Sequence, residues 1–273
     1  MNNEEDGKQI DTAESGTIAL ISKAEIDQQI TTAKKYPRSL KRFRDEALQM
    51  VTLTENIAKE CIYALPRRDA SGSTKTIEGP SARFAEVIAS AWGNCRAGAR
   101  VVGESAEFVT AQGVFYDLER NVAITYEVQR RITNSSGKRY TTDMVGVTAN
   151  AACSIALRNA ILKGVPKAFW SELYAATRKT IAGDVKTLTN RRADAIKEFV
   201  IFGVSEAQIL AVLEKSGVQD IGVDDLVTLH GLLTAIKDGD STPEEVFGKN
   251  TGRTAQEAYT DEKLKELMPA YTK

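Results

Sequence analysis

The stretch that most constrains the fold lies in the middle of the chain, from Thr148 to Trp170, and begins with a predicted helix of small residues. Small side chains recur in it at three- and four-residue spacing, at Ala149, Ala152, Cys153, Ala156 and Ala160. Because such positions share one helix face, they predict a narrow, smooth ridge that another backbone approaches closely. Gly164 and Pro166 predict where this helix ends.

Composition excludes several chemistries. The single histidine, His230, rules out histidine metal clusters, and its apolar neighbours indicate a helix residue. Three widely separated cysteines argue against a disulfide framework, so we expect a reducing, cytoplasmic compartment. We expect no membrane span, because the apolar runs are short, and the acidic start is unlike a secretory signal. Nucleotide-binding and catalytic motifs are absent, which favours a protein that is not an enzyme and needs no cofactor.

Charge is segregated along the chain, although the net charge is only −1. Residues 34–192 carry 26 Lys and Arg against 15 Asp and Glu, whereas residues 193–273 carry 8 against 15. Residues 1–33 are also acidic. A basic middle between acidic ends favours a polyanionic partner such as nucleic acid, with chance clustering as the alternative.

These changes in charge and composition along the sequence divide the chain into four predicted regions. Residues 1–21 have too few bulky apolar groups for a core and predict a disordered acidic arm. Residues 22–190 predict a basic α+β domain for DNA binding and oligomerisation, residues 191–248 an acidic helical module that binds a partner, and residues 249–273 a polar tail. The expected fold class is α+β, with an antiparallel β-meander packed with helices and then a small C-terminal helical bundle.

The meander is predicted between Ala99 and Tyr140, where apolar residues alternate, as in Val122, Ile124 and Tyr126. Three or four antiparallel strands fit this length. Upstream, Cys61–Pro66 predicts a brief strand followed by a basic loop, and the next segment has the apolar spacing of a helix.

Basic side chains gather on three predicted surfaces, where we expect them to contact phosphates. The loop after the first strand carries Arg67, Arg68 and Lys75; the tip of the last hairpin carries Arg130, Arg131, Lys138 and Arg139; and the central helix with its continuation carries Arg158, Lys163, Lys167, Arg178 and Lys179. For each residue the alternative to phosphate contact is a place on a solvated face or in an ion pair. The nearby Phe169 and Trp170 suit either base stacking or core packing.

Four stretches, ECIYALPR, IEGPSARFAEVIASAWGN, YEVQRRITNSSGKRY and ALRNAILKGVPK, occur in that order. In this order the chain resembles phage-type single-strand annealing proteins of the RecT/Red-beta group. The end of the chain, from FVIFGVSEAQILAVL to LHGLLTAIKDGDSTPEEVF, is similar to the small helical C-terminal module of such proteins. The resemblance covers residues 60–250 and is one of feature order and loose motifs.

The resemblance implies ATP-independent annealing of complementary DNA strands in homologous recombination, in the cytoplasm of a bacterial host. It further implies a ring or filament homo-oligomer that holds single-stranded DNA and the annealed duplex on the basic residues named above. A host single-strand-binding protein or a partner exonuclease would meet the C-terminal module. Two alternatives are a structural protein that coats duplex DNA, and a metal-dependent nuclease that uses Asp117, Glu119 and Glu127.

Overall fold

The computed structural model describes residues 12–68, 74–134, 136–183 and 188–248, with side chains at these positions except 12–22, 66–68, 74 and 75. It confirms the α+β class, because antiparallel sheets of two and three strands are packed with helices. The C-terminal part of the described chain is helical, as predicted. Residues 1–11 of the predicted arm and the predicted tail lie outside the described residues.

Three helices begin the described chain: α1 (Thr12–Lys35), α2 (Leu40–Val51) and α3 (Glu55–Glu60). The backbone is helical from Thr12, so residues 12–21 differ from the disordered arm that composition predicted. Alanine, glutamate and leucine in this stretch favour a helix even without a core of their own. A separate α3 begins because the Thr54 hydroxyl accepts a hydrogen bond from the Ile57 N–H and caps it.

A hairpin follows, formed by β1 (Ile62–Arg68) and β2 (Thr74–Pro80), in which Leu65 lies opposite Ile77. The sequence predicted only the first of these strands. Ser81 then begins α4 (Ala82–Trp92): its hydroxyl donates to the Glu60 carbonyl and accepts from the Phe84 N–H. The hydroxyl therefore fixes the start of α4 against the end of α3.

The predicted meander is present as a three-stranded sheet in the order β3 (Cys95–Glu104), β4 (Phe108–Asp117) and β5 (Val122–Arg131). Along β4 burial alternates, with Val109, Ala111 and Phe115 fully buried. Since successive side chains of a strand point to opposite faces, one face of the sheet belongs to the core.

Helix α5 (Thr142–Gly164) crosses that buried face. It begins earlier than predicted because the Thr141 hydroxyl caps it, and it ends at Gly164 as predicted. The small-residue ridge makes the expected close contact, since a Cβ added at Gly113 would overlap the Ala156 carbonyl. By length and hydropathy, α5 is the one described helix that could cross a membrane, which differs from the sequence expectation. In this fold it is a core helix against the sheet.

Helix α6 (Lys167–Ala182) completes an aromatic core. The rings of Trp170 and Phe84 lie 6.1 Å apart, and those of Phe169 and Trp92 lie 5.3 Å apart. The Trp170 indole N–H donates to the Val165 carbonyl at 3.0 Å. Phe169 and Trp170 are therefore packed in the core, the alternative to base stacking.

The C-terminal helices are α7 (Leu188–Val200), α8 (Glu206–Leu213), α9 (Val223–Lys237) and α10 (Pro243–Phe247). Their apolar core includes Phe199 and Leu229, together with Ala64 from β1. A Cβ added at Gly231 of α9 would lie 2.8 Å from the Cβ of Ala64, so the helix sits directly on the hairpin. Contacts thus cross the boundary predicted near residue 190.

Candidate nucleic-acid interface

Arg158, predicted to contact phosphate from the central helix, lies inside the molecule and is 8% exposed. Its guanidinium lies 3.3 Å from the Asp240 carboxylate and 4.3 Å from the centroid of the Tyr63 ring. Burial raises the pKa of Asp240, although Arg158 and Arg130 favour the charged carboxylate. Arg158 therefore joins α5 to the segment after α9 and is not open to DNA.

Two more arginines that were predicted to contact phosphate instead bind oxygen atoms within the protein. Arg130 donates to the carbonyl oxygens of Gly239 and Asp240, each at 3.1 Å. Arg178 lies 2.6 Å from the carboxylate of Glu78 on β2. The sequence could not reveal this, because the acceptors come from elements distant along the chain.

The hairpin tip differs from the acid-free cluster that the sequence predicted. Arg139 is ion-paired with Glu104, and Arg131 lies 4.0 Å from Glu107, because the β3–β4 turn folds beside the tip. Lys138 is exposed and has no carboxylate partner among the described residues. Arg131 also keeps 57% of its side chain exposed. Lys138 and Arg131 are thus the cations that this tip leaves accessible.

The turn between α5 and α6 carries two exposed lysines, Lys163 and Lys167, which we call the corner lysines. The Lys163 ammonium lies 5.3 Å from the centroid of the Tyr126 ring, and that of Lys167 lies 6.0 Å from the Trp170 ring. Neither has a carboxylate partner within the described ranges. The first turn of α6 also holds no acidic residue, so its free N–H groups add positive potential beside Lys167.

A cavity of about 510 Å³ lies beside this corner, between α2 and α6. Lys41 and Arg44 line it from α2, and Phe169 and Glu172 line it from α6. Arg44 is paired with Glu172 at 2.9 Å, whereas Lys41 has no acidic partner in the part of the chain that the structure describes. Lys179, further along α6, is exposed and likewise unpaired among those residues. The corner lysines therefore have further exposed cations on neighbouring helices.

The basic loop of the sequence prediction falls on the strand ends that flank the connection between β1 and β2. Arg67 pairs with Lys75 across the hairpin, and Arg68 with Thr74. The side chains of Arg67, Arg68 and Lys75, and residues 69–73 between the strands, lie outside the described positions. The prediction that these residues contact phosphate stays a prediction.

The carboxylates of the nuclease alternative do not converge. Asp117 is 2% exposed and accepts hydrogen bonds from Arg38 at 3.1 Å and from the Trp92 indole at 3.0 Å. Glu119 also binds Arg38. Glu127 lies opposite Gln112 of β4. Gln112 is five residues from Asp117 along that strand, which separates the two positions by roughly 16 Å at the usual rise per residue. No group of three or more metal-binding side chains occurs among the described residues.

Sequence reasoning missed two cations on β3. Arg96 and Arg100 lie opposite Tyr116 and Gln112 of β4, so they share the sheet face that points away from α5. Both are exposed, and neither is ion-paired among the described residues. Their signal in the sequence is the alternation of arginine with alanine and glycine in RAGAR, which is short and weak.

The described residues thus define an α+β protein with a helix-covered three-stranded sheet and exposed, unpaired cations around it. Comparison of the chain with protein-family models, curated proteins and solved structures finds no match.

Proposed function

We propose that this protein binds single-stranded DNA on its exposed cations and anneals complementary strands without ATP. The observation that carries the proposal is the pair of corner lysines, which are exposed, lie beside aromatic rings and have no acidic partner among the described residues. Lysines hold phosphates regardless of sequence, and contacts to the backbone leave base edges free to pair with a second strand.

The resemblance to the RecT/Red-beta group supplies the rest of this proposal. We place the protein in the bacterial cytoplasm, acting in recombination as a ring or filament of identical subunits. The acidic C-terminal helices are the surface on which a host single-strand-binding protein or an exonuclease would bind. Lys138, Lys179, Arg96 and Arg100 are exposed and would extend the path of the strand.

The test is the annealing of two labelled complementary oligonucleotides, followed by fluorescence without nucleotide, with and without magnesium, while a gel reports strand length. We expect faster annealing at intact length. Tighter binding of duplex than of single strand, with no acceleration, would instead identify a protein that coats duplex DNA. Strands shortened only in magnesium would indicate a nuclease.

The corner lysines give this test a residue-level control. For single strands, the slope of log binding constant against log salt is about 0.7 per neutralised phosphate. The double variant Lys163→Ala/Lys167→Ala should therefore bind more weakly, with a slope smaller by about 1.4. Lys197→Ala removes an exposed lysine of α7 that is paired with Asp194, and should keep the slope of the unmodified protein. Equal slopes in all three proteins would exclude the corner from the binding surface.

A further inference from the structure

A second cavity, of about 900 Å³, opens at the other end of α5 from the corner lysines. It lies between the end of β5, the start of α5 and the segment that connects α9 to α10. Met144, in its wall, is 19 residues from Lys163 along α5, which places the two sites roughly 28 Å apart along the helix. The cavity is therefore separate from the corner.

The wall combines flat rings with apolar side chains. Phe108, Tyr140 and Phe202 contribute rings, and Met144 and Val147 contribute aliphatic surface. Met144 is 46% exposed and Val147 is 55% exposed, so this apolar surface is accessible from solvent. Such a wall is suited to a flat, weakly polar group.

The same wall has hydrogen-bonding capacity that the fold does not use. The hydroxyl of Thr133 is buried, with the residue only 4% exposed, and has no hydrogen-bond partner among the described residues. The Asn134 side-chain oxygen accepts from the backbone N–H groups of Ser136 and Lys138, and its amide N–H groups have no partner within the described ranges. Asn134 is exposed, so water reaches its amide, whereas the Thr133 hydroxyl is buried. A buried polar group without a partner is uncommon and costly, which favours a ligand that satisfies Thr133.

Positive charge surrounds the mouth. Arg131 lines the cavity and stacks 5.1 Å from the Phe108 ring, and Lys138 is exposed on the adjacent turn. Among the described residues, Glu245 is the one acidic residue in the wall, and its carboxylate accepts hydrogen bonds from Ser241 and from the Thr242 N–H. That carboxylate is thus already engaged. Arg131 lies 4.0 Å from Glu107 but keeps 57% of its side chain exposed, and Lys138 has no carboxylate partner among the described residues, so an anion can reach both cations.

We infer that this cavity holds one nucleotide, with its base against the aromatic and apolar wall and its phosphate at the Arg131 and Lys138 rim. A nucleotide supplies a flat ring, donors and acceptors on the ring edge, and a phosphate, which together match the three features of the site. The inference rests on the proposed function where the nucleotide belongs to a DNA strand. A free nucleotide has the same chemistry, so the experiment separates the two sources.

The test compares the full-length protein on two labelled strands of equal length and phosphate number, one of thymidines and one of abasic sites, by fluorescence anisotropy. Stacking of a base on aromatic side chains contributes about 1–3 kcal/mol. We therefore expect the thymidine strand to bind about tenfold more tightly, since tenfold corresponds to about 1.4 kcal/mol. Val147→Trp fills the cavity from an exposed position and should abolish this preference. Leu53→Trp, at a 69% exposed site away from the cavity wall, should retain it.

Thr133→Val provides a second variant that does not depend on a bulky side chain. It removes the unpartnered hydroxyl at nearly constant volume, so its thermal midpoint should stay at or above that of the unmodified protein. Its preference for the thymidine strand should nevertheless fall. A preference unchanged in both Thr133→Val and Val147→Trp would overturn the inference.

The remaining outcomes distinguish this inference from the proposed function. If the unmodified protein binds neither strand, the proposed function fails. If it binds both strands equally, DNA binding survives, and titration with thymidine monophosphate by calorimetry then decides. Binding of the monophosphate that is lost in Val147→Trp would assign the cavity to a free nucleotide. Equal strand affinities without monophosphate binding would overturn the inference.

Discussion

Arg38 has an enclosed side chain, of which 4% is exposed. It lies 3.1 Å from the carboxylate of Asp117 and 4.0 Å from the ring of Trp92. It also donates to the carbonyls of Trp92 and Gly93, at 2.6 and 3.1 Å. Burial alone would raise the pKa of Asp117, but hydrogen bonds from Arg38 and Trp92 hold that pKa below its usual value. The charged form of Asp117 thus depends on Arg38.

We expect Arg38→Met to lower the free energy of unfolding by about 3–5 kcal/mol, because it leaves a buried carboxylate without its partner. Urea unfolding followed by tryptophan fluorescence at neutral pH measures the change. Arg42→Met is the control, since Arg42 pairs with Glu46 on the exposed face of α2, with 77% of the arginine side chain exposed. The control should keep the original midpoint. An Arg38→Met protein with the same midpoint would show that the pair contributes nothing.

The same pair predicts a pH dependence. Because its folded-state pKa is lowered, the Asp117 contribution to stability is complete above the unfolded pKa of about 3.9 and is lost as the pH falls through the folded value. In Arg38→Met, burial dominates and the pKa of Asp117 should rise, so protonation relieves the unpaired charge. The stability difference between the two proteins should therefore shrink from neutral pH towards pH 4, measured by urea midpoints. A difference that is constant with pH would contradict this assignment.

At this scale the sequence revealed cations but not their partners. Asp117 is 79 residues from Arg38, and Asp240 is 82 residues from Arg158, so no local spacing in the sequence predicts either ion pair. Lys163, in the last turn of α5, lies beside the Tyr126 ring of β5, is exposed and has no carboxylate partner among the described residues. The candidate site was therefore predictable as a basic region, whereas the accessible cations depended on tertiary packing.

At the scale of elements, the contact between α5 and β4 determines how the sheet is covered. Gly113 of β4 lies against the Ala156 carbonyl, and an added Cβ would overlap it. We expect Gly113→Ala to lower the free energy of unfolding by about 1–3 kcal/mol, as overpacking does. Gly98→Ala is the matched control in β3 of the same sheet, where an added Cβ meets nothing within 4 Å. Equal urea midpoints for the two variants would mean that α5 and β4 do not approach this closely.

Periodicity predicted some elements well and missed others for a physical reason. Alternation in β5 and the small-residue ridge of α5 are strong local patterns, and both elements were found. The strand β2, with the sequence TKTIEGP, contains glycine and proline, which weaken any strand prediction. Its pairing with β1 and the hydrogen bonds from Tyr174 and Arg178 to Glu78 stabilise it instead. These are tertiary effects that a local pattern does not contain.

At the scale of the whole molecule, the acidic C-terminal helices are packed against the basic region. Ala64 of β1 belongs to the apolar core of the C-terminal helices, and the Gly239 and Asp240 carbonyls bind Arg130. The only two tryptophans, Trp92 and Trp170, lie in the basic region, so their fluorescence reports that region alone. Far-UV circular dichroism, by contrast, reports the helices of both regions.

We expect one unfolding transition that coincides by both probes, because cooperative domains unfold as a unit. Gly231→Ala, in α9, should shift the transition to lower urea in tryptophan fluorescence as well, since its Cβ would lie 2.8 Å from the backbone nitrogen of Ala64. Gly146→Ala in α5, where an added Cβ meets nothing within 4 Å, should instead gain about 1 kcal/mol from helix propensity. If Gly231→Ala shifted only part of the circular dichroism signal and left the tryptophan transition unchanged, the C-terminal helices would be an independent domain. The surface proposed for a protein partner would then be free to move relative to the DNA-binding cations.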